Sequence, residues 1–272
     1  MTNLRAAAPT VKPSGAGAIP RNLYLFFELV RRDFSMRFAG STFGFGWAIL
    51  QPLSLILLYW FVFTKIFEGP RIGAAEGYGN YAFFLISGLI PWIGLQEGLV
   101  RGTTSLIENG TLVRRLTFKT ELLVLAPNFT ALIFEIIGIG LFLGYLLLSG
   151  VALWNVWILP FALLIQLGLQ AGISFALAAV QVLLRDVSQM LGFILSFVFY
   201  LSPILYAVQP EWEMVFRWNP LTPLFGLFRS AILSAPLPNP VSIVFLLVVT
   251  GAAFTGGLLL LRWLQPNLAD LI

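Results

Sequence analysis

The chain of 272 residues contains no cysteine and no histidine, and only 10% of its residues carry a formal charge. Without cysteine there can be no disulfide or thiolate metal site, and the lack of histidine removes the commonest metal ligand. A soluble domain has about 25% charged residues. Hydrophobic residues make up 58% of this chain, which favours a membrane protein. Membrane topology also explains the formal charge of +4 better than nucleic-acid binding does.

Charge is missing altogether from four long stretches, each longer than the roughly 20 residues that a helix needs to cross a bilayer. They are residues 38–64, 136–184, 187–210 and 230–261. An ionised side chain costs about 2.5–3.5 kcal/mol at mid-membrane, so such stretches predict spanning helices. We expect an all-α membrane protein with six transmembrane helices, at about residues 42–67, 78–107, 122–148, 154–183, 187–206 and 240–264.

The basic residues predict the orientation of these spans. An even number of spans places both termini on one side of the membrane. With the termini inside, twelve of the 16 basic residues are cytoplasmic, and the outer four are Lys65, Arg71, Arg217 and Arg229. This distribution obeys the positive-inside rule, so we expect both termini to be cytoplasmic.

The N-terminal region divides into a tail and an amphipathic segment. Residues 1–20 are rich in Ala, Pro, Gly and Ser and lack the apolar core of a signal peptide, which predicts a disordered cytoplasmic tail. Residues 21–38 alternate apolar and charged side chains at helical spacing, which predicts an amphipathic helix in the membrane interface. A cytoplasmic helix packed against its own protein would show the same pattern. Residues 39–272 would form the transmembrane domain.

Residues 208–238 are too apolar for an exposed loop, and prolines divide them into pieces too short to span a bilayer. We expect a re-entrant helical hairpin before the last span, beside a translocation path, because backbone at membrane depth must be surrounded by protein or water. A cap on the outer surface is the alternative. The residues singled out in this segment are Trp218, Phe225, Phe228 and Arg229.

Motifs for nucleotide and hydrolytic chemistry are missing from the sequence. A phosphate-binding loop places lysine directly after glycine, and none of Lys12, Lys65 and Lys119 follows a glycine. Neither a Gly-x-Ser-x-Gly elbow nor a His-Glu-x-x-His site occurs. We therefore expect that the chain is not an enzyme and holds no cofactor or metal of its own.

Glu135 is the one acidic residue expected at mid-depth in a span, and such residues are functional by default. A buried hydrogen bond to Gln166, Gln170 or another intramembrane polar group would explain its presence equally well. Both interpretations stay open from the sequence alone.

Seven short motifs, taken in order, resemble one family. They are Val30–Phe38, Gly44–Trp47 with Gln51–Pro52, Ile90–Trp92, Asn109–Phe118, Leu184–Asp186, Ser202–Tyr206 and Asn219–Pro223. The chain resembles the ABC-2 type polysaccharide exporter permeases. The resemblance implies a homodimer in the bacterial cytoplasmic (inner) membrane with two separate ATPase subunits, which bind the ATP and Mg. It also implies export of an undecaprenyl-linked glycan, O-antigen foremost, or teichoic acid or capsular polysaccharide.

The same resemblance assigns a coupling helix to the turn between the second and third spans, where it would dock into the ATPase subunit. The coupling residues expected are Glu108, Asn109, Leu112, Arg114, Arg115, Arg185 and Asp186. Arg114 and Arg115 would alternatively serve only to enforce topology. An ion pair between Arg185 and Asp186 could also cap the fifth span.

Two further groups of residues are candidates for contact with the transported lipid-linked glycan. Guanidinium groups pair bidentately with phosphate, so the interface helix would bind the lipid pyrophosphate through Arg31, Arg32, Asp33 and Arg37. Attraction to anionic lipid is the alternative. The resemblance implies that spans one and five meet across the dimer and form the channel. Aromatic rings can stack on sugars, so the expected lining is Trp47, Gln51, Tyr59, Trp60, Phe193, Phe197 and Tyr200.

Two other functions remain compatible with these patterns. One is an ABC-2 permease for a small hydrophobic compound, and the other is a channel that works without ATP. The amphipathic helix and the 15% aromatic content favour the polymer.

Overall fold

The computed structural model describes residues 21–62, 65, 81–113 and 119–271, and this part of the chain is helical and contains no strand. Short 3-10 turns at Val156–Ile158 and Pro210–Trp212 precede the sixth and eighth helices. The all-α class is therefore confirmed, and the predicted tail at residues 1–20 lies outside the described residues. The α-helices are α1 (Arg21–Arg37), α2 (Gly46–Phe61), α3 (Tyr81–Glu108), α4 (Gly110–Val113), α5 (Thr120–Leu148), α6 (Leu159–Leu183), α7 (Val187–Leu201), α8 (Glu213–Phe216), α9 (Leu221–Leu233) and α10 (Pro240–Leu271).

Four stretches of helix are long and apolar enough to cross a membrane: Tyr81–Glu108, Thr120–Leu148, Val156–Leu183 and Pro240–Pro266. They coincide with the predicted second, third, fourth and sixth spans. The helices at the predicted first and fifth spans, α2 and α7, have only 16 and 15 residues. At 1.5 Å per residue each is about 23 Å long, less than the hydrocarbon thickness of about 30 Å. Six spans remain a prediction, and the expected end of the first lies partly outside the described residues.

The helix α7 ends five residues before the predicted boundary of span five, and proline chemistry explains the difference. Ser202 has an extended conformation with ψ of 146°. The ring of Pro203 disfavours a helical conformation in the preceding residue, and proline has no N–H to continue a helix. Beyond this point the chain runs past the start of α3, where Tyr81 Oη donates a hydrogen bond to the carbonyl of Leu205 at 2.7 Å.

The helix α3 lies at the centre of the bundle. It packs mainly against α5, α6 and α9, and also contacts α2 and α7. Buried side chains from α3, including Ile86, Leu89 and Leu99, belong to the larger of two apolar clusters. The proline inside this helix, Pro91, is tolerated because neighbouring helices can satisfy the backbone groups that it frees.

Glycines allow α6 and α10 to pack with their backbones in contact. A Cβ added at Gly172 would lie 2.5 Å from the carbonyl carbon of Ala253 and would also clash with the amide nitrogen of Phe254. A Cβ at Gly257 would clash with the carbonyl of Gly172. Because backbone atoms cannot rotate out of the way, these positions accept only glycine. Close approach of this kind is the main source of helix affinity in lipid, where apolar burial contributes little.

The predicted re-entrant segment contains one buried and one exposed helix. The helix α9 packs against α3, α6 and α10, whereas α8 is a single exposed turn. The C-terminal end of α9 stays at the same end of the bundle as its start, since Ser234 Oγ donates to the carbonyl of Ala152 at 3.3 Å and Pro238 packs on Gly226. The re-entrant hairpin remains a prediction.

Candidate functional site

One end of the bundle carries α4 and collects most of the residues predicted to contact the ATPase. The C-terminal end of α3 leads directly into α4, and the N-terminal end of α5 follows it. The far end of α10 lies here as well, because Arg262 Nε donates to Glu121 of α5 at 2.9 Å. We refer to this as the α4 end.

A network of four charged side chains fastens α1 to α3 near the α4 end, and we call it the α1 latch. Arg101 Nη2 of α3 lies 2.6 Å from Asp33 Oδ1, and Arg37 Nη2 of α1 lies 2.9 Å from Glu97 Oε2. Arg101 also approaches Glu97 at 3.6 Å, which joins the two pairs. These side chains are only 15–29% exposed, so the pairs are partly shielded from water.

The helix α1 is packed against its own protein, as one of the two interpretations of its amphipathic pattern expected, and its place in the membrane interface stays a prediction. Its buried face, including Val30, packs against α5, and Phe34 stacks on Phe134 with ring centres 5.1 Å apart. Its other face leaves Tyr24 and Phe27 exposed. The helix therefore packs against its own protein while offering an aromatic surface to its surroundings.

The structure gives different environments to the residues expected to bind pyrophosphate. Asp33 and Arg37 are engaged in the latch, whereas Arg31 is exposed and lies 3.6 Å from Glu28 of its own helix. Arg32 donates to Asn109 Oδ1, in the turn between α3 and α4. Arg31 is therefore the member of this group with the freest access to a ligand, and the phosphate role remains a prediction.

Three of the residues expected to couple to the ATPase, Glu108, Asn109 and Leu112, lie in or next to α4. Asn109 Nδ2 donates to the carbonyl of Ser105 at 2.8 Å, and Glu108 accepts a hydrogen bond from Thr104 at 2.6 Å. Leu112 packs on the smaller apolar cluster, which also contains Leu106 and Leu123. Two further coupling residues, Arg114 and Arg115, lie outside the described residues.

The expected ion-pair cap at the start of α7 is wrong. Arg185 and Asp186 are both exposed and form no ion pair in the described part of the chain, and the side chain of Asp186 makes no capping hydrogen bond. Gln181 serves instead: its Oε1 accepts from the amide of Ser188 at 2.7 Å, and its Nε2 donates to the carbonyl of Arg185 at 2.8 Å. A longer amide side chain from the preceding helix can satisfy both groups at once, which a short carboxylate in the turn cannot.

Glu135 is buried, with 3% exposure, in a polar seam between α3, α5 and α6. Its Oε2 accepts a hydrogen bond from Gln166 Nε2 at 2.5 Å, which confirms the predicted hydrogen bond, while a functional role stays a prediction. The seam continues towards the α4 end, where Gln170 Nε2 donates to the carbonyl of Asn128 at 3.1 Å and Ser174 Oγ donates to Asn128 Oδ1 at 3.2 Å. Buried polar groups of this kind fix how the three helices align.

Glycines of α3 at every fourth position make room for this seam. A Cβ added at Gly94 would lie 2.8 Å from Cδ of Glu135, and one at Gly102 would lie 2.6 Å from Nδ2 of Asn128. Gly98, between them, faces Gln170. The polar seam and the glycine row therefore depend on each other.

The residues expected to line a channel are on two helices that are poorly covered within one chain. In α7, Phe193, Phe197 and Tyr200 are each about two thirds exposed or more, and in α2 Trp47 and Gln51 are exposed. The two other α2 residues of this set, Tyr59 and Trp60, are half-buried. Both helices pack against α3.

The residues singled out in the predicted hairpin divide between core and surface. Phe225 and Phe228 are fully buried in the larger apolar cluster, and Trp218 is exposed with its ring against Phe245. Arg229 is buried, with its Cζ 3.6 Å from the ring centre of Phe84.

Sequence reasoning missed Glu97 and Arg101 as partners of α1. The available signal was an acidic and a basic residue four positions apart inside a predicted span, since charges in such a place need partners. The partners themselves, Asp33 and Arg37, are distant in sequence, and only the packing of α1 against the bundle identifies them.

Residues 24–233, more than half of the chain, match the family described as ABC-2 type transporter. The chain belongs to this family. As an ABC-2 transporter protein with several long apolar helices, it is a multi-pass membrane protein.

The ABC-2 relatives of this chain include permeases named for polysaccharide export. It is 26% identical over 244 residues to the O-antigen export system permease protein RfbA of Myxococcus xanthus, covering 85% of this chain and 90% of the relative. It is 25% identical over 258 residues to the RfbA protein of Klebsiella pneumoniae, covering 92% and 96%. The polysialic acid transport protein KpsM of Escherichia coli is 23% identical over 244 residues, covering 86% and 91%.

Proposed function

We propose that this chain is the permease subunit of an ATP-driven exporter that moves polysaccharide, O-antigen foremost, across the bacterial inner membrane. The observation that carries this proposal is its likeness to O-antigen permeases over 85–92% of its length, within a matched ABC-2 domain. The relative named for polysialic acid transport supports polysaccharide as the cargo class. We infer in addition that the glycan travels attached to undecaprenyl.

The proposed topology has six spans with both termini in the cytoplasm. In this arrangement α2 and α7 are the first and fifth spans, α9 is part of a re-entrant hairpin, and the α4 end is cytoplasmic. The clustering of α1, the start of α5 and the end of α10 at the α4 end supports a common side for these elements.

The proposed working unit is a homodimer with two ATPase subunits. The exposed aromatic faces of α2 and α7 support a second copy as their partner, with the glycan passing between the two copies. The ATPase would dock at α4, and ATP-driven displacement there would be transmitted through α3 to the channel. Arg32 and the α1 latch connect the same region to α1.

Transport is tested in cells that lack this chain and its ATPase. We expect loss of surface glycan and accumulation of its lipid-linked form inside the membrane, with restoration only when both proteins return. Purified complex should show ATP hydrolysis that rises with lipid-linked glycan. Normal surface glycan in the absence of the ATPase would contradict the proposal and favour an ATP-independent channel.

Dimer geometry is tested by cross-linking, which the absence of native cysteine simplifies. Phe197→Cys on α7 should form a disulfide between two copies in membranes. Leu164→Cys on α6 is the matched control, because Leu164 is similarly exposed but lies on another helix. Equal cross-linking at both positions would show non-specific collision rather than the proposed interface.

A further inference from the structure

A small crevice lies between α2, α3 and α5, and we call it the α2 crevice. Its volume is about 60 Å³, and most of the side chains that line it are apolar. A water molecule occupies about 30 Å³ in the liquid, so two molecules fit in this volume. The lining residues used below are Ala48, Gln51 and Pro52 of α2, Ile90 and Glu97 of α3, and Glu135 of α5.

One carboxylate oxygen of Glu135 needs a donor at this crevice. Its Oε2 accepts a hydrogen bond from Gln166, whereas its Oε1 is buried and has no hydrogen-bond partner among the described residues. A buried oxygen of this kind costs free energy unless a donor reaches it. The contacts of Glu135 therefore leave one strong acceptor for a ligand that the crevice can admit.

The two charged side chains that share the crevice with Glu135 pair with each other. Arg37 Nη2 of α1 lies 2.9 Å from Glu97 Oε2 of α3, as part of the α1 latch. Within the described chain, Glu135 forms no ion pair with Arg37, and no further charged residue lines the crevice. The donor for Glu135 Oε1 must therefore be a molecule other than these side chains.

The helix α2 supplies further polar groups to the lining. Pro52 lies inside this helix and has no N–H, so the carbonyl of Ala48 receives no hydrogen bond from the residue four positions later. Ala48 and Pro52 both line the crevice. Gln51 lines it as well, and its amide can both donate and accept. Because water has two hydrogens to donate, one molecule can bridge acceptors on two helices.

We propose that the α2 crevice binds water, which donates a hydrogen bond to Glu135 Oε1 and connects the polar seam to α2. The small volume and the buried acceptor favour water as the ligand, since water enters cavities that are roomy enough and offer polar partners. A water-mediated contact is nearly as favourable as a direct hydrogen bond, so the bound water would help to hold α2 on the bundle. This inference uses the contacts of one chain and does not depend on the transport assignment.

The test is radiolytic footprinting of the full chain in phosphatidylcholine nanodiscs. X-ray pulses convert water into hydroxyl radicals where it is bound, the radicals oxidise neighbouring side chains, and mass spectrometry locates the oxidised residues. Ile90 lines the crevice and is only 5% exposed, so its oxidation reports water inside the crevice. Phe142 is fully buried in the same apolar cluster and does not line the crevice, so it should stay unoxidised.

Two variants test whether the crevice and its acceptor hold the water. Ala48→Leu adds side-chain volume to the crevice, and Glu135→Leu removes the acceptor while keeping a side chain of similar size. Oxidation of Ile90 should be lost in both, because a filled crevice, or one without this acceptor, would not hold the water. If Ala48→Leu fails to fold, Glu135→Leu decides.

Gly140→Ala is the matched control on α5, because a Cβ added there has no atom within 4 Å, and oxidation of Ile90 should persist in it. An unoxidised Ile90 in the wild type would show that the crevice is dry or holds an acyl chain, and would overturn the proposal. Oxidation that persists in Glu135→Leu would show water bound independently of Glu135, and oxidation that persists in Ala48→Leu would place the water elsewhere. Either result would equally overturn the proposal.

Discussion

The ion pairs of the α1 latch predict how firmly α1 is held on the bundle. Neutralising one member, as in Glu97→Gln, leaves Arg37 without its carboxylate partner in a partly shielded site. Exposed pairs contribute about 0.2–1 kcal/mol and breaking fully buried pairs costs about 3–5 kcal/mol. With side chains 15–29% exposed, we expect a cost of about 1–3 kcal/mol, the range for hydrogen bonds to charged groups. This corresponds to a shift of roughly 5–150-fold in the equilibrium between docked and undocked α1.

The assay measures how fast a maleimide labels the cysteine introduced by Val30→Cys, which is the only cysteine in the variant chain. Val30 is buried against α5, so its labelling requires α1 to undock. Glu97→Gln in this background should raise the rate by roughly 5–150-fold, provided that undocking is fast and reversible.

Arg31→Gln is the matched control for this experiment. Arg31 lies on the same helix and its ion pair with Glu28 is exposed, so its loss should leave the labelling rate nearly unchanged. The combined variant Arg37→Gln with Glu97→Gln should label less than the product of the two single effects, since both remove the same interaction. Wild-type labelling in Glu97→Gln, or strictly additive effects, would refute the role of the latch.

Three further predictions concern other contacts. Gly172→Val should sharply reduce the yield of monodisperse protein on size-exclusion chromatography, because the added Cβ would clash with backbone atoms of α10. Gly140→Ala is the control and should leave the yield unchanged, because a Cβ added at Gly140 has no atom within 4 Å. Gln166→Leu removes the hydrogen bond to buried Glu135 and should lower stability by about 1–3 kcal/mol, measured as a lower thermal midpoint in detergent. Leu112→Asp should reduce glycan-stimulated ATP hydrolysis by the complex without changing the basal rate of the isolated ATPase.

Each of these predictions can fail in a distinct way. Normal yield of Gly172→Val would show that α6 and α10 can separate without loss of the fold. An unchanged midpoint for Gln166→Leu would show that Glu135 finds another partner. Unaltered stimulation in Leu112→Asp would place the ATPase contact elsewhere.

The membrane class, the long helices and the α4 turn could be predicted from the sequence, since each depends on local composition and spacing. Four of the predicted spans appear as helices near their expected bounds. The helix α7 ends earlier than predicted, because Pro203 forces Ser202 out of the helical conformation although the residues that follow are apolar. The predicted cap of α7 was wrong because the side chain that caps this helix, Gln181, lies in the preceding helix.

The partners of charged residues could not be predicted, and this limited the candidate site. From the sequence alone, Glu97 and Arg101 could pair with any oppositely charged residue. Only the packing of α1 against the bundle identifies Asp33 and Arg37 as their partners. Glu135 was the exception, because Gln166, which donates to it, was among the partners named from the sequence.

The sequence by itself determined that this chain is helical and membrane-embedded, because a bilayer excludes charge and demands that every backbone group be satisfied within its own segment. Only the tertiary structure decided which polar groups meet. Ion pairs and hydrogen bonds form only when their atoms lie within a few ångströms, so the latch and the polar seam exist only once the helices have packed.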